Sequence, residues 1–274
     1  MTRTILDEIV DNRRAELAQQ KLRVPEAELR TRIEALDPPR NFAAMLTGPK
    51  VRVIAEVKRA SPSEGQFGQL YDPRILAQEY AGNGAAAVSC VTDETFFQGD
   101  GFMVHRARNY MPLPVIRKDF IFDDYQVYES RALEADAILL IVAVLSDLEL
   151  RLLHDLATSL GMAVLVETHD GAEVRRALDA GAKIVGVNNR NLKTMQVDLS
   201  HSEAVADLIP TDKVFVSESG IKTRQDVERL SHCGVDAILV GSLLMKSEDP
   251  GRTLRPLTSV DKRPGRRPSG RGLL

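Results

Sequence analysis

Short apolar segments rich in Val, Ile, Leu and Ala recur along the chain at intervals of roughly 20 to 35 residues, with amphipathic stretches between them. They read VRVIAEVK from Val51, AAAVSCVT from Ala85, PVIRKDF from Pro114, AILLIVAV from Ala137, AVLVETH from Ala163, IVGVNNR from Ile184, KVFVSESG from Lys213 and AILVGS from Ala237. The stretches between them are long enough for crossover helices, so the pattern predicts parallel βα units and an α/β fold. Eight such units fit a closed (β/α)8 barrel, the TIM-barrel architecture. An open doubly wound sheet is the alternative, but no GxGxxG follows the first segment, and polar residues end almost every segment instead of clustering at one switch point. Small residues and Gly precede several segments, as in YAGNGAAAV, LDAGAKIV and SHCGVDAI, where Gly is suited to a left-handed helix cap.

Before the first segment, Ile5, Ile9, Leu17, Leu22 and Leu29 lie in charged, helix-like sequence that PPRNFAAML closes with Pro38 and Pro39. The expected organisation is an N-terminal helical extension over 1–48, a barrel over 49–250 and a basic tail over 251–274. The extension has two open readings, packing on the barrel bottom or side and a lid over its mouth. The tail is rich in Arg, Pro and Gly without periodic apolar residues, and disorder is expected there.

The ends of the segments carry the chemistry. In IAEVKRASPS, Glu56 and Lys58 alternate near the end of an otherwise apolar strand, so they share a face and, in a barrel, meet in its mouth. A buried unpaired ion costs several kcal/mol or more, so such residues either plug the barrel end as a pair or serve a reaction. Further along come Lys118 in IRKDF, Glu167 in LVETH, Asn188 and Arg190 in VNNRNL, Glu218 and Ser219 in SESGI, and Gly241-Ser242 in LVGS. Each has a local explanation: Lys118 pairs with Asp119, Glu167 caps the next helix, Asn188 satisfies a turn. Required at so many strand ends together, these explanations give way to a site on the face where barrel enzymes place their chemistry. Ser219-Gly220 and Gly241-Ser242, on adjacent strands, offer amides, hydroxyls and close approach for a phosphate, although Gly also serves tight turns. Arg190 and Lys58 add charge for that phosphate or for a substrate carboxylate. On this reading Gly241→Val chiefly weakens binding of a phosphorylated ligand. The histidines form no HxxxH pair, and His169 is expected to be a loop residue.

Composition narrows the picture. A length of 274 residues with 43% hydrophobic content supports one large core, and a net charge of −3 gives no general drive toward nucleic acid or anionic membrane. No apolar run approaches the roughly 20 residues that span a bilayer, and MTRTILDEIVDNRRAELAQQ has acidic residues where a secretory signal needs an apolar block, so a soluble cytoplasmic protein is expected. Cys90 and Cys233 lie far apart with no CxxC, so no zinc site or disulfide framework is expected, and both are read as small buried residues. No apolar stripe demands a second copy, and a monomer suffices.

The blocks IAEVKRASPS, YDPRILAQEYAGNGAAAVS, TDETFFQGD, PVIRKDFIFDDYQVYESR, LVETHD, VGVNNRNLKTMQVDL, VSESGI and LVGSLLM, in this order, resemble the indole-3-glycerol phosphate synthase family over almost the whole chain to Asp249-Pro250. The resemblance implies ring closure of 1-(2-carboxyphenylamino)-1-deoxyribulose 5-phosphate with loss of carbon dioxide and water, with no cofactor and no metal. It implies Lys118 as general acid, Glu167 as general base, Glu56 and Lys58 as a coupled pair for dehydration and orientation, Asn188 and Arg190 as substrate contacts, and Glu218 as an electrostatic or positioning group. Ser61, Ser219, Gly220, Gly241 and Ser242 match its binding shell, much of it around the phosphate, and Phe97 and Phe120 match aromatic positions near the anthranilate ring. Asp100 stands where Ser is common in the family and Glu134 where Gly is common. A phosphoribosylanthranilate isomerase-like barrel and a phosphometabolite-binding barrel without catalysis are the rival readings. The dense Lys/Glu set favours the synthase over both.

Overall fold

In the computed structural model, which describes residues 4–68, 72–191, 194–263, 265 and 267, eight parallel strands close into a barrel. They are β1 (Arg52–Val57), β2 (Ala87–Val91), β3 (Val115–Lys118), β4 (Ala137–Ile141), β5 (Ala163–Thr168), β6 (Ile184–Asn188), β7 (Val214–Glu218) and β8 (Ala237–Val240). Each pairs with its successor, and β8 returns to β1 with Arg52 opposite Ala237 and Ala55 opposite Val240. The strands are almost wholly buried because side chains alternate between two dry layers. Ile54, Ile116, Leu139, Leu165, Ile184, Val216 and Leu239 fill the interior, whereas Val53, Val57, Val88, Ile138, Val166 and Val185 pack outward against the helices. Each such side chain contributes about 1.5–3 kcal/mol when fully buried. Cys90 belongs to the outer layer, but Cys233 is only half-buried, against the expectation for it.

The predicted helix stops hold: Gly84, Gly181 and Gly234 have φ of 91°, 89° and 78°, which L side chains rarely adopt. Glu134 takes the same conformation at φ 65° just after α6 (Asp124–Ala132), and its carboxylate meets His105 at 2.8 Å. Asp100 accepts the Met103 amide at 3.1 Å at the start of α5 (Phe102–Tyr110).

The segment before β1 forms α1 (Ile5–Arg23), α2 (Glu26–Glu34) and α3 (Phe42–Met45), and it serves both ends of the barrel. Phe42 and Leu46 close the bottom against Ala237 and Ile184, while Ile5, Leu6 and Ile9 reach the mouth. Leu17 of α1 and Leu29 of α2 pack on Tyr125 and Tyr128 of α6.

The expectation of disorder from 251 onward is corrected wherever that segment is described. Pro250–Leu254 form α12, Val51 donates to the Val260 carbonyl at 2.9 Å, and Lys50 bridges Asp261. Arg267 is 8% exposed. Its guanidinium donates to the carbonyls of Ile209 (3.1 Å), Pro210 (2.6 Å) and Gly234 (2.8 Å) and to the Asp236 carboxylate (2.7 Å). Composition misjudged this stretch because one planar five-donor head group can order a chain that has no apolar stripe. The remainder of the tail, 264, 266 and 268–274, lies outside the described residues.

Candidate active site

The C-terminal ends of the strands surround a cavity of about 500 Å³, and every catalytic or binding candidate named from the sequence lines it. Lys118, the last residue of β3, projects inward, whereas its neighbours Arg117 and Asp119 face the helix layer. There Arg117 meets Asp119 and Glu129, both at 2.8 Å, and Arg13 of α1 lies 3.4 Å from Asp119. The local explanation that Lys118 pairs with Asp119 therefore fails on alternation alone. Lys118 Nζ instead lies 3.6 Å from Glu167 and 4.0 Å from Glu218, at the ends of β5 and β7.

These groups set one another's charge. Burial disfavours the Lys118 ammonium, but Glu167, Glu218 and Glu56 outweigh it and raise its pKa above the ordinary lysine value. Its surroundings therefore favour the ammonium form and do not depress its pKa. For Glu167, burial is likewise opposed, by Lys118, His169 and the Asn188 amide, and the carboxyl falls below its ordinary value. Asn188 Nδ2 donates to Glu167 Oε1 at 3.2 Å. Glu218 goes the other way: burial, reinforced by Glu167 against Lys118, pushes it up to about 8. Neither of its carboxylate oxygens has a hydrogen-bond partner. Because its folded pKa lies above the ordinary 4.5, its contribution to stability is complete below that pH and is lost as pH rises through about 8. We expect the melting temperature of Glu218→Gln, relative to wild type, to rise between pH 5 and 9. A difference that stays constant with pH would contradict the assignment.

Across the mouth, Lys58 Nζ lies 3.0 Å from Glu56 Oε1 and 5.4 Å from the centre of the Phe67 ring. The rings of Phe97 and Phe120 stand 6.1 Å apart, tilted by 38°, on the same wall. Asp93 holds Phe97 in place by accepting the Phe96 and Phe97 amides at 2.7 and 3.1 Å. Arg190 donates its amide to Asn188 at 3.0 Å and its guanidinium to the Met195 carbonyl at 3.3 Å. On the β7 and β8 side, Ser219 and Gly220 both take positive φ, 64° and 85°, turning the chain sharply after Glu218. The Ser61 hydroxyl is buried without a partner. The Ser242 hydroxyl donates to Glu64, whose other oxygen meets Lys246 at 2.6 Å.

Two glycines prove to be spacers for carboxylates. A Cβ on Gly241 would fall 2.1 Å from Glu56 Oε1, and one on Gly186 would fall 2.3 Å from Glu218 Oε1. The effect of Gly241→Val is accordingly revised. The side chain drives Glu56 off Lys58, so turnover should drop by at least about tenfold, roughly 1.4 kcal/mol, and not binding alone. Steady-state kinetics with a changed KM and an unchanged kcat would restore the simpler phosphate reading. Gly186 escaped the sequence reading, although Gly inside IVGVN is the usual mark of close approach within a strand. Glu64, Lys246 and the side-chain role of His169 also escaped it. His169 is a loop residue as expected, one position past β5, and its Nε2 lies 3.5 Å from Glu167.

A closed parallel barrel with interlocked lysines and carboxylates at its C-terminal mouth defines a (β/α)8-barrel enzyme of acid–base chemistry. A family model described as indole-3-glycerol phosphate synthase matches residues 6–257. The chain belongs to that family. It is 47% identical over 261 residues to the indole-3-glycerol phosphate synthase of Polaromonas sp., covering 94% of this chain and 99% of that one. It is also 47% identical over 263 residues to that of Roseiflexus sp., covering 93% and 98%. Among solved structures, a thiamine phosphate pyrophosphorylase from Pyrococcus furiosus shares the fold, with a TM-score of 0.57 at 17% identity over 76% of this chain and 94% of that one.

Proposed function

We propose that the protein closes the indole ring of 1-(2-carboxyphenylamino)-1-deoxyribulose 5-phosphate, releasing carbon dioxide and water to give indole-3-glycerol phosphate in tryptophan biosynthesis. The observation that carries this reading is the Lys118 ammonium between Glu167 and Glu218, facing the Lys58–Glu56 pair across one cavity. As the aromatic carbon attacks the carbonyl, negative charge develops on the carbonyl oxygen, and Lys118, kept in its ammonium form by its glutamate neighbours until then, donates a proton to it. Loss of the carboxylate as carbon dioxide then neutralises the ring precursor. Dehydration needs an acid for the departing hydroxyl and a base for the ring proton. Lys58, oriented by Glu56, serves the first; Glu167, ionised and with one oxygen unbonded, serves the second. Asn188 and Arg190 contact the substrate, and Glu218 acts as a positioning group.

Phe97 and Phe120 offer a wall for the anthranilate ring, while Ser61, Ser219, Gly220, Gly241 and Ser242 form the shell around the phosphate. The extension over 1–48 and the catalytic barrel over 49–250 belong to the same reading, as does a cytoplasmic location. Among the described residues, no helix is long and apolar enough to cross a membrane. The test is to add purified protein to the carboxyphenylamino-deoxyribulose phosphate and follow indole fluorescence together with carbon dioxide release. Both signals are expected, and their absence with folded protein would overturn the reading.

A further inference from the structure

We propose that His169, clamped by Glu173, is a positioning residue that turns Glu167 toward the substrate and keeps it ionised. The inference rests on the assignment of Glu167 as the base. Glu167 and His169 are two residues apart and lie on the same side of the chain, while Thr168 between them faces away and donates to the Gly186 carbonyl at 2.7 Å. His169 lies beside the cavity, outside its lining, with 16% of its side chain exposed. Its Nδ1 is 3.0 Å from Glu173 Oε2, and the same oxygen accepts the His169 backbone amide at 2.8 Å. Glu173 lies in the first turn of α8 (Gly171–Asp179), so the clamp is set by a rigid element.

The chemistry follows from the two ring nitrogens. A carboxylate at Nδ1 holds a proton there, which leaves Nε2 facing Glu167 Oε1 at 3.5 Å. A bare Nε2 would set a lone pair against a carboxylate oxygen, so the favoured state has Nε2 protonated and Glu167 ionised. Oε1 of Glu167 thus accepts from Asn188 at 3.2 Å and faces the His169 ring at 3.5 Å, an ion-pair distance at which Nε2 makes no hydrogen bond in this arrangement. Oε2 has no hydrogen-bond partner and lies 3.6 Å from Lys118, which leaves it for the substrate proton. The charged groups acting on this pair are Glu173 and Asp170 from the His169 side, and Lys118 and Glu218 from the cavity side. Glu173, Asp170 and Glu167 raise the imidazole pKa against the effect of burial. The arrangement sets the imidazole between a hydrogen-bonded carboxylate of α8 and an ion-paired carboxylate of the reacting face.

The test pairs His169→Asn with Glu173→Gln in the ring-closure assay and in 15N NMR of the imidazoles. The chain has 5 histidines, so His169 is assigned by its disappearance in His169→Asn. We expect both ring nitrogens of His169 to carry protons at pH 7 in wild type, and the titration midpoint to fall in Glu173→Gln. In His169→Asn, kcat should drop roughly tenfold with KM within about twofold, and the acid limb of kcat should move up by about one pH unit. Glu173→Gln should act in the same direction more weakly, and it carries the test if His169→Asn fails to fold. An acid limb and kcat that stay at wild-type values in folded variants would overturn the inference. Glu167→Gln separates the two levels: wild-type turnover in that variant would overturn the assignment of the base itself, and this inference with it.

Discussion

Lys118→Ala is expected to fold normally and to lose about 10²- to 10⁴-fold in turnover, the contribution of one positioned proton donor. Lys118 is the cation between Glu167 and Glu218, and its pKa is raised by them, so no other group at that point of the wall holds a proton for the carbonyl oxygen as firmly. The variant survives because Glu218 already favours its protonated form, and removing the neighbouring ammonium strengthens that preference without leaving two bare carboxylates side by side. Single-turnover measurements on the folded variant decide the matter. Near-wild-type turnover would remove Lys118 from the role of principal acid, and lost folding would show that its ion pairs are structural.

Arg267→Ala is expected to leave turnover unchanged and to destabilise the barrel by about 3 kcal/mol, the lower end of the cost of breaking a buried ion pair by removing one partner. The lower end is appropriate because Asp236 keeps Lys262 and the Phe215 amide at 2.8 Å. The carbonyls of Ile209, Pro210 and Gly234 would each lose their guanidinium donor. For a chain of this size that cost corresponds to a fall in melting temperature of roughly 6 to 12 °C. Asp236 precedes β8 at the end of the barrel opposite the mouth, so the chemistry has no path to this change. Calorimetry that returns the wild-type transition would mean that Arg267 is held without contributing to stability.

The fold was legible because its signal is repeated: eight apolar segments, almost all of them too polar at one end to be only core. The alternation that sets Lys118 inside and Asp119 outside is equally a property of consecutive residues. Ser242, Glu64 and Lys246 are a different case. Their contact joins a strand end to a loop 178 residues away, and nothing local in SPSEG or GSLLMK announces it. The tail failed for a related reason, since Arg267 is anchored by backbone carbonyls, which leave no trace in side-chain composition. Gly186 carried a readable mark but not its meaning. That meaning appears only when the neighbouring strand delivers Glu218 into the space above it.

The proton on Glu218 has an electrical consequence for the whole mouth. Lys58 and Lys118 face Glu56, Glu167 and Glu218, an assembly with one negative charge in excess when all five groups are ionised. With Glu218 neutral, as burial and Glu167 favour below about pH 8, the excess disappears, and Arg190 on the rim makes the balance positive. A molecule that brings both a phosphate and a carboxylate then approaches three glutamates without net repulsion. Its own anionic groups become the partners that complete the field inside the barrel.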